Sequence, residues 1–262
     1  MYTPYDFNEA VSRRTEFIQD KLVSGSPVVG MAVDAGVMLF SMRHTQRKIY
    51  EIYDRQMFAA LGNQSDVETI RLSAIQIAHQ EGFERSPDDV TIHRLVGFAL
   101  SPSIKKAFGD QLSVPWVVRA VFAELGRSPE SDSFVTLNYD GEYQVLRQAA
   151  VVAGSFAAEE AMRKHLEPTP ERPKLSVAID IAARAWAAGA RADRTRRSEI
   201  RPDDRDEVQA ADDGEAVDSD YLNALLEDRT PEVGLLERTA DGAPRFRLVP
   251  EASIREALAA RL

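Results

Sequence analysis

The stretch VVGMAVDAGVMLFSMRHTQRKIYEIYDRQMFAALG, residues 28–62, decides the fold. Three apolar runs lie within it: Val28–Val33, Val37–Met42 and Gln56–Leu61. Short runs rich in Val, Met, Leu and Phe, bounded by Asp and Gly, read as buried strands. Asp34-Ala35-Gly36 supplies the residue tolerant of positive φ that a three-residue hairpin needs. Between the second and third runs, Lys48–Tyr53 alternates with Ile49 and Tyr53 turned inward, the pattern of a half-exposed strand. The stretch therefore predicts a strand meander with one lysine, Lys48, near its middle. A lysine there either snorkels to water along an apolar surface or is a cation kept part-buried for use.

Helices are predicted on both flanks. Asp6 and Glu9 form a capping-box pattern. Phe7, Ala10, Val11, Phe17, Ile18 and Leu22 then recur at helical spacing, so a first helix runs over 6–24 and stops at Ser24-Gly25. Ser65-Asp66-Val67-Glu68 reads as a second capping box, with Val67, Ile70, Ala74, Ile77 and Ala78 on one face. Ser86-Pro87-Asp88-Asp89 opens another helix that continues through Val96 and Leu100. A second strand group follows: Trp116–Leu125, then Phe134–Asn138 paired with Tyr143–Val152 across Tyr139-Asp140-Gly141. Ser155 caps a helix to about Leu166, and an alanine-rich helix spans Lys174 to about Ala190. Residues 192–217 show no apolar period and read as a flexible acidic insertion. A short helix Tyr221–Leu226, strands Val233–Glu237 and Phe246–Val249, and a helix from Glu251 complete the chain. Antiparallel strand groups alternating with helix pairs predict an α+β domain in which two stacked sheets are covered on both outer faces.

Composition narrows the function. With 44% hydrophobic residues among 262, the chain can bury a full core. There are no cysteines, so neither a disulfide framework nor thiolate chemistry is available. No run approaches the about eighteen apolar residues of a membrane span, and the start MYTPYDFNEAVSRR lacks the layout of a signal peptide, so the cytoplasm is the expected location. The net charge is −10, and residues 199–220 alone carry ten acids against two arginines, a balance of −8. The remainder is close to neutral, which argues against a nucleic-acid-binding body. The basic run Arg191, Arg194, Arg196, Arg197 abuts the acidic one and reads as part of a polyampholyte loop.

Most catalytic signatures are missing. The sequence has no G-x-G-x-x-G, P-loop, H-E-x-x-H or G-x-S-x-G. His44, His79, His93 and His165 have no metal-ligand spacing, and Glu159-Glu160 and Asp88-Asp89 read as charges at helix starts.

The order Gly25-Ser26, Val28–Val33, Asp34-Ala35-Gly36-Val37-Met38-Leu39, Lys48-Ile49-x-x-Ile52-x-Asp54, Phe58-Ala59-Ala60-x-Gly62 resembles the 20S proteasome family, and within it the bacterial α-type subunits. The resemblance covers residues 1 to about 190 and again from 230 onward. It implies a four-layer αββα sandwich of the Ntn-hydrolase kind, formed by one domain over 1–262. Catalytic members use a threonine at the start of the first strand as nucleophile and base in one residue. Here Ser26 stands in that place, followed by Pro27, and the family's supporting acid falls at Met42, which cannot ionise. The resemblance therefore implies a chain with no catalytic residue, no cofactor and no metal.

What it implies instead is admission of substrates. The helix 6–24 would lie on the outer face of a homo-oligomeric, seven-membered ring stacked on β-type peptidase subunits. Met1, Tyr2, Thr3, Pro4 and Tyr5 would form the gate through which protein substrates pass. Lys48, with Gly25 beside it, would line a pocket between neighbouring subunits that receives the C-terminal tail of a ring-shaped AAA-type ATPase or other activator. The family's Ser-Pro-Asp-Gly turn and Phe-Gln-Val-Glu-Tyr segment near the gate are missing, and Asn63 stands where archaeal members place a pocket leucine. Two readings compete: a self-processing N-terminal-nucleophile hydrolase using Ser26 with Lys48 as its basic partner, and a ring-forming homologue without a peptidase partner.

Overall fold

The computed structural model describes residues 4–110, 112–200, 219–239 and 245–259. Among the described residues, ten strands form two five-stranded antiparallel sheets. In one sheet, β1 (Val28–Val33), β2 (Gly36–Arg43), β8 (Ala149–Val152), β9 (Thr230–Glu237) and β10 (Phe246–Leu248) lie in the order β10-β9-β2-β1-β8. In the other, β3 (Ile49–Tyr53), β4 (Gln56–Gly62), β5 (Val118–Glu124), β6 (Ser133–Leu137) and β7 (Tyr143–Leu146) follow one another in chain order. The expected meander is thus divided. β1 and β2 form a hairpin in the first sheet, and the chain then crosses over so that β3 and β4 begin the second.

Three apolar layers hold these sheets and their helices. Val28, Ala32, Val37, Leu39 and Leu236 of the first sheet pack on Ile49, Met57, Ala59, Leu61, Val121 and Phe134 of the second. The other face of the first sheet meets α5 (Phe156–Leu166), α6 (Leu175–Ile200), α7 (Ser219–Asp228) and α8 (Glu251–Ala259) through Met31, Phe40, Trp186, Leu222 and Ile254. The other face of the second sheet meets α2 (Gln64–Glu84) and the helices after it through Phe58, Phe122, Ile70, Leu95 and Ile104. This is the expected αββα sandwich.

Helix α1 runs Pro4–Leu22, two residues earlier at both ends than the sequence pattern gave. Proline is favoured at a first helical position because its missing N–H has no intrahelical partner there. Asp6 accordingly lies inside the helix rather than at its cap. Ile18 and Leu22 are fully buried in the layer between the sheets, whereas Phe17 of the same stripe is 44% exposed.

Other boundaries moved for identifiable reasons. Asn63, not Ser65, caps α2, its side chain accepting the Ser65 N–H at 3.2 Å. Pro87–Asp89 forms only a 3-10 turn, and the following helix starts afresh at the Thr91 cap as α3 (Ile92–Arg94). A π turn, Leu95–Leu100, then leads into α4 (Ser101–Gly109). Pro102 at the start of α4 lacks an N–H and would crowd the carbonyl four residues back, a conflict that a widened turn relieves. The expected strand Tyr143–Val152 is two strands, β7 and β8, in different sheets. Helix α6 continues to Ile200, so the first residues of the expected insertion, 192–200, are helical, and Asp193 is 2% exposed. Residues 201–217 of that insertion lie outside the described residues. Among the described residues no helix is long and apolar enough to cross a membrane.

Candidate functional site

The strand registers bring several unusual side chains to one end of the first sheet. Val28 of β1 pairs with Ser41 of β2, Ser41 pairs with Glu232 of β9, and Arg43 pairs with Thr230. Ser26, the end of β2 and the start of β9 are therefore neighbours. Lys48 arrives at the same place from the crossover. It sits one residue before β3, not inside a strand as the alternation suggested.

Glu232 organises this corner. Its carboxylate accepts the backbone N–H of Lys48 at 3.2 Å and of Ile49 at 3.2 Å, and Arg43 Nε lies 3.3 Å from it. Burial raises its pKa, and these two N–H donors together with Arg43 pull the other way. The Lys48 ammonium is a different case. Burial lowers its pKa to about 8, the Glu232 charge partly restores it, and the Arg229 guanidinium lowers it further. Among the described residues, no carboxylate forms an ion pair with Lys48.

Ser26 is arranged as a structural hydroxyl. It donates to the Met42 carbonyl at 2.6 Å, lies 3.3 Å from the Ser41 hydroxyl and receives the Trp186 indole N–H at 3.2 Å. The same indole N–H is 2.9 Å from the Pro27 carbonyl, to which Ser41 also donates at 2.7 Å. None of these partners is a base that could take the hydroxyl proton at neutral pH. Met42, in the place of the family acid, is fully buried among apolar side chains.

Gly25 has a packing reason of its own. A Cβ there would stand 2.8 Å from Leu61 Cδ1 and 3.0 Å from the Leu22 carbonyl oxygen. The Asn63 side chain is engaged in capping α2. Of the expected gate, Pro4 and Tyr5 open α1, and Met1, Tyr2 and Thr3 lie outside the described residues.

Three residues of this corner were not singled out from sequence: Glu232, Arg229 and Trp186. The Arg229 guanidinium carbon lies over the Trp186 ring, 5.4 Å from its centroid, and burial lowers the pKa of Arg229. Glu232 had a usable signal, an acid directly before the apolar run of β9.

A second buried polar group lies at the β8–α5 junction. Asp193 accepts the Gly154 N–H at 2.8 Å and the Ser155 hydroxyl at 2.7 Å, and burial raises its pKa to about 6 despite them. Beside it Arg119 pairs with Glu159 at 2.7 Å and donates to the Ala153 carbonyl at 2.8 Å.

No family model matches the chain. Curated relatives do. A protein named proteasome subunit alpha from Actinosynnema mirum is 32% identical over 178 residues, 67% of this chain and 66% of that protein. Another of that name from Xylanimonas cellulosilytica is 32% identical over 178 residues, 67% of this chain and 71% of the relative. One from Kineococcus radiotolerans is 30% identical over 209 residues, 78% of this chain and 86% of the relative.

Proposed function

Because the chain belongs to the proteasome α-subunit family, we propose that it is a non-catalytic ring subunit that gates entry to a peptidase chamber and docks an activator. One domain over 1–262 supplies the protomer, and copies of it, seven by family resemblance, form the outer ring in the cytoplasm. Protein substrates pass the ring to reach threonine-type β subunits. Met1–Tyr5 form the gate, carried by α1. A ring-shaped ATPase inserts its C-terminal tails beside Lys48.

The observation that carries this reading is Lys48 itself. An ammonium that folding has partly removed from water, and that no carboxylate pairs among the described residues, gains from an incoming carboxylate. Such a charge-assisted hydrogen bond is worth roughly 1.5–3 kcal/mol. That is weak alone, but repeated around a ring it acts through effective concentration. The setting of Ser26, bonded to a carbonyl, a hydroxyl and an indole, supports the absence of hydrolysis by this chain.

The test is a particle co-assembled with a β-type peptidase. Lys48→Ala should leave ring assembly and unstimulated peptide hydrolysis intact and abolish ATPase-stimulated protein degradation. Removing Met1–Thr3 should speed short-peptide hydrolysis without any activator. Unchanged stimulation in the first variant overturns the docking role, and an unchanged rate in the second overturns the gate. Intact mass decides the remaining point, since a product starting at Ser26 would reveal a self-processing hydrolase.

A further inference from the structure

β8 ends one sheet and β7 ends the other, and Arg147-Gln148 joins them directly, so both free margins lie on the same side of the sandwich. Between them is a cleft of about 1270 Å³, walled by both strands, the turn after β6, Phe108 and residues 169–172. The registers fix which backbone groups face it. The Ala32 N–H donates to the Gln148 carbonyl at 2.8 Å, so the hydrogen-bonded pairs of the β1–β8 ladder fall at Gln148, Ala150 and Val152. The N–H and C=O groups of Ala149 and Val151 therefore point away from β1, toward the open margin. Among the described residues no partner meets them, although Val151 is only 4% exposed. Ala153 is next in the same phase, and its N–H donates to Glu159 at 3.3 Å while its carbonyl accepts from Arg119 at 2.8 Å. That ion pair does for Ala153 what an added strand would do for Ala149 and Val151. In β7 the Asn138 N–H donates to the Glu142 carbonyl at 2.8 Å, which leaves Tyr143 and Val145 in the same outward phase.

The side chains of the cleft narrow what could fill it. Ala150 and Val152 belong to the layer between the sheets, and Ala149 and Val151 to the layer beneath α5 and α6. A strand laid on β8 would continue both layers, so its middle residues would be apolar or small on either face. Arg119 Nε, Asn138 Oδ1 and Thr169 Oγ1 on the same wall are buried and lack a hydrogen-bond partner among the described residues. Arg119 itself is 7% exposed. The wall carries seven carboxylates against four arginines, a balance of −3. Asp132 and Glu159 are held by arginines. Glu130, Asp140, Glu142, Glu167 and Glu171 form no ion pair among the described residues, and all five reach the surface at the mouth of the cleft.

We propose that this cleft takes an extended, cationic segment of a partner protein, which adds a strand to β8. The outward N–H and C=O groups of Ala149 and Val151 pair with its backbone, and the carboxylates at the mouth select lysine or arginine at its ends. The cleft lies on the far side of the first sheet from β9, with β2 and β1 between, and shares no residue with the Lys48 corner. It therefore stands or falls apart from the docking reading of that lysine.

Fluorescence anisotropy of the full chain with a labelled peptide, Lys-Val-Thr-Val-Thr-Lys, tests this. The wild-type chain should bind it, and the peptide with both lysines replaced by glutamate should bind about tenfold more weakly. Methylating alternate backbone nitrogens of the peptide tests for a strand: one alternate set should abolish binding and the other should leave it unchanged. Ala149→Pro removes an outward N–H at the start of β8 without touching the β1 ladder, and should weaken binding about tenfold. Glu142→Gln and Glu167→Gln should each weaken it about two- to fivefold at low salt and have no effect at high salt. Thermal unfolding of each variant separates a lost contact from a lost fold. No binding by the wild-type chain, equal binding of the glutamate peptide, or equal loss with either methylated set overturns the proposal. Binding seen only at dilutions where the chain is monomeric gives the cleft to a second copy, and overturns it as well.

Discussion

The carboxylate of Glu232 on β9 accepts the backbone N–H groups of Lys48 and Ile49, each at 3.2 Å, and so fastens the start of a strand in one sheet to a strand in the other. The pairing spans 184 residues of sequence. Glu232→Ala would leave two N–H groups and the Arg43 guanidinium without their partner in a largely buried setting. Breaking such a group costs about 3–5 kcal/mol. The expected outcome is a clear drop in the chemical-denaturation midpoint together with loss of activator response, because Lys48 is no longer positioned. A variant with wild-type stability would mean that the crossover holds itself.

If Lys48 receives a carboxylate as proposed, docking should depend on pH. Its folded pKa of about 8 lies below the ordinary 10.5, so between those values the unfolded chain holds more protons. The contribution of this group to stability therefore rises with pH across that window and is constant below it. Docking has the opposite dependence, since a carboxylate needs the ammonium. With a pKa near 8, affinity for a free-carboxylate tail should fall about tenfold between pH 7 and pH 9. Lys48→Arg should show no such fall. Binding of the wild-type ring that stays level across this range excludes the ammonium from the contact.

The layers of this fold were legible because burial leaves a trace in local composition. The runs that became β1, β2 and β4 are largely apolar and nearly all buried. Gly36 does take positive φ, but as the first residue of β2, since Val33 pairs with Gly36 and the hairpin loop is the two residues Asp34-Ala35, not three. The crossover was not legible, because the few residues from His44 to Lys48 look like any other turn. Strand Tyr143–Val152 misled for the same reason: Arg147-Gln148 breaks the ladder where the chain changes sheets, and no local signal marks it. In α6 the absence of an apolar period past Ala190 hid a helix whose buried Asp193 is polar. Lys48 could be singled out by type, but its environment comes from Glu232 and Arg229, which only tertiary contact brings near.

Asp193 should give the molecule a measurable acid response. Its folded pKa of about 6 lies above the ordinary 3.8, so between these values the folded chain holds the extra proton. Its contribution to stability accordingly declines as pH rises through that window and is level above it. Glu159, raised by burial as well, lies in the same cluster, so the comparison has to isolate Asp193. Asp193→Asn keeps an oxygen to accept the Gly154 N–H, turns its amide N–H toward the Ser155 hydroxyl oxygen, and cannot titrate. The wild-type melting temperature, measured relative to this variant, should rise as pH is lowered from 7 to 5. A constant difference between the two proteins would show that Asp193 keeps its ordinary pKa.

Gly25 separates packing from docking. An added Cβ would fall 2.8 Å from Leu61 Cδ1 and 3.0 Å from the Leu22 carbonyl oxygen, so Gly25→Ala must displace a buried leucine or the end of α1. Overpacking of this kind costs about 1–3 kcal/mol. If the clash with Leu61 is the cause, Leu61→Ala should make room for the new methyl, and the double variant should be more stable than the sum of the two single losses predicts. If Gly25 also matters for tail approach, the double variant should regain this coupling energy and still dock poorly. Thermal unfolding and tail binding measured on the same four proteins resolve the two roles. Additive losses in stability would show that Leu61 is not what requires a glycine at position 25.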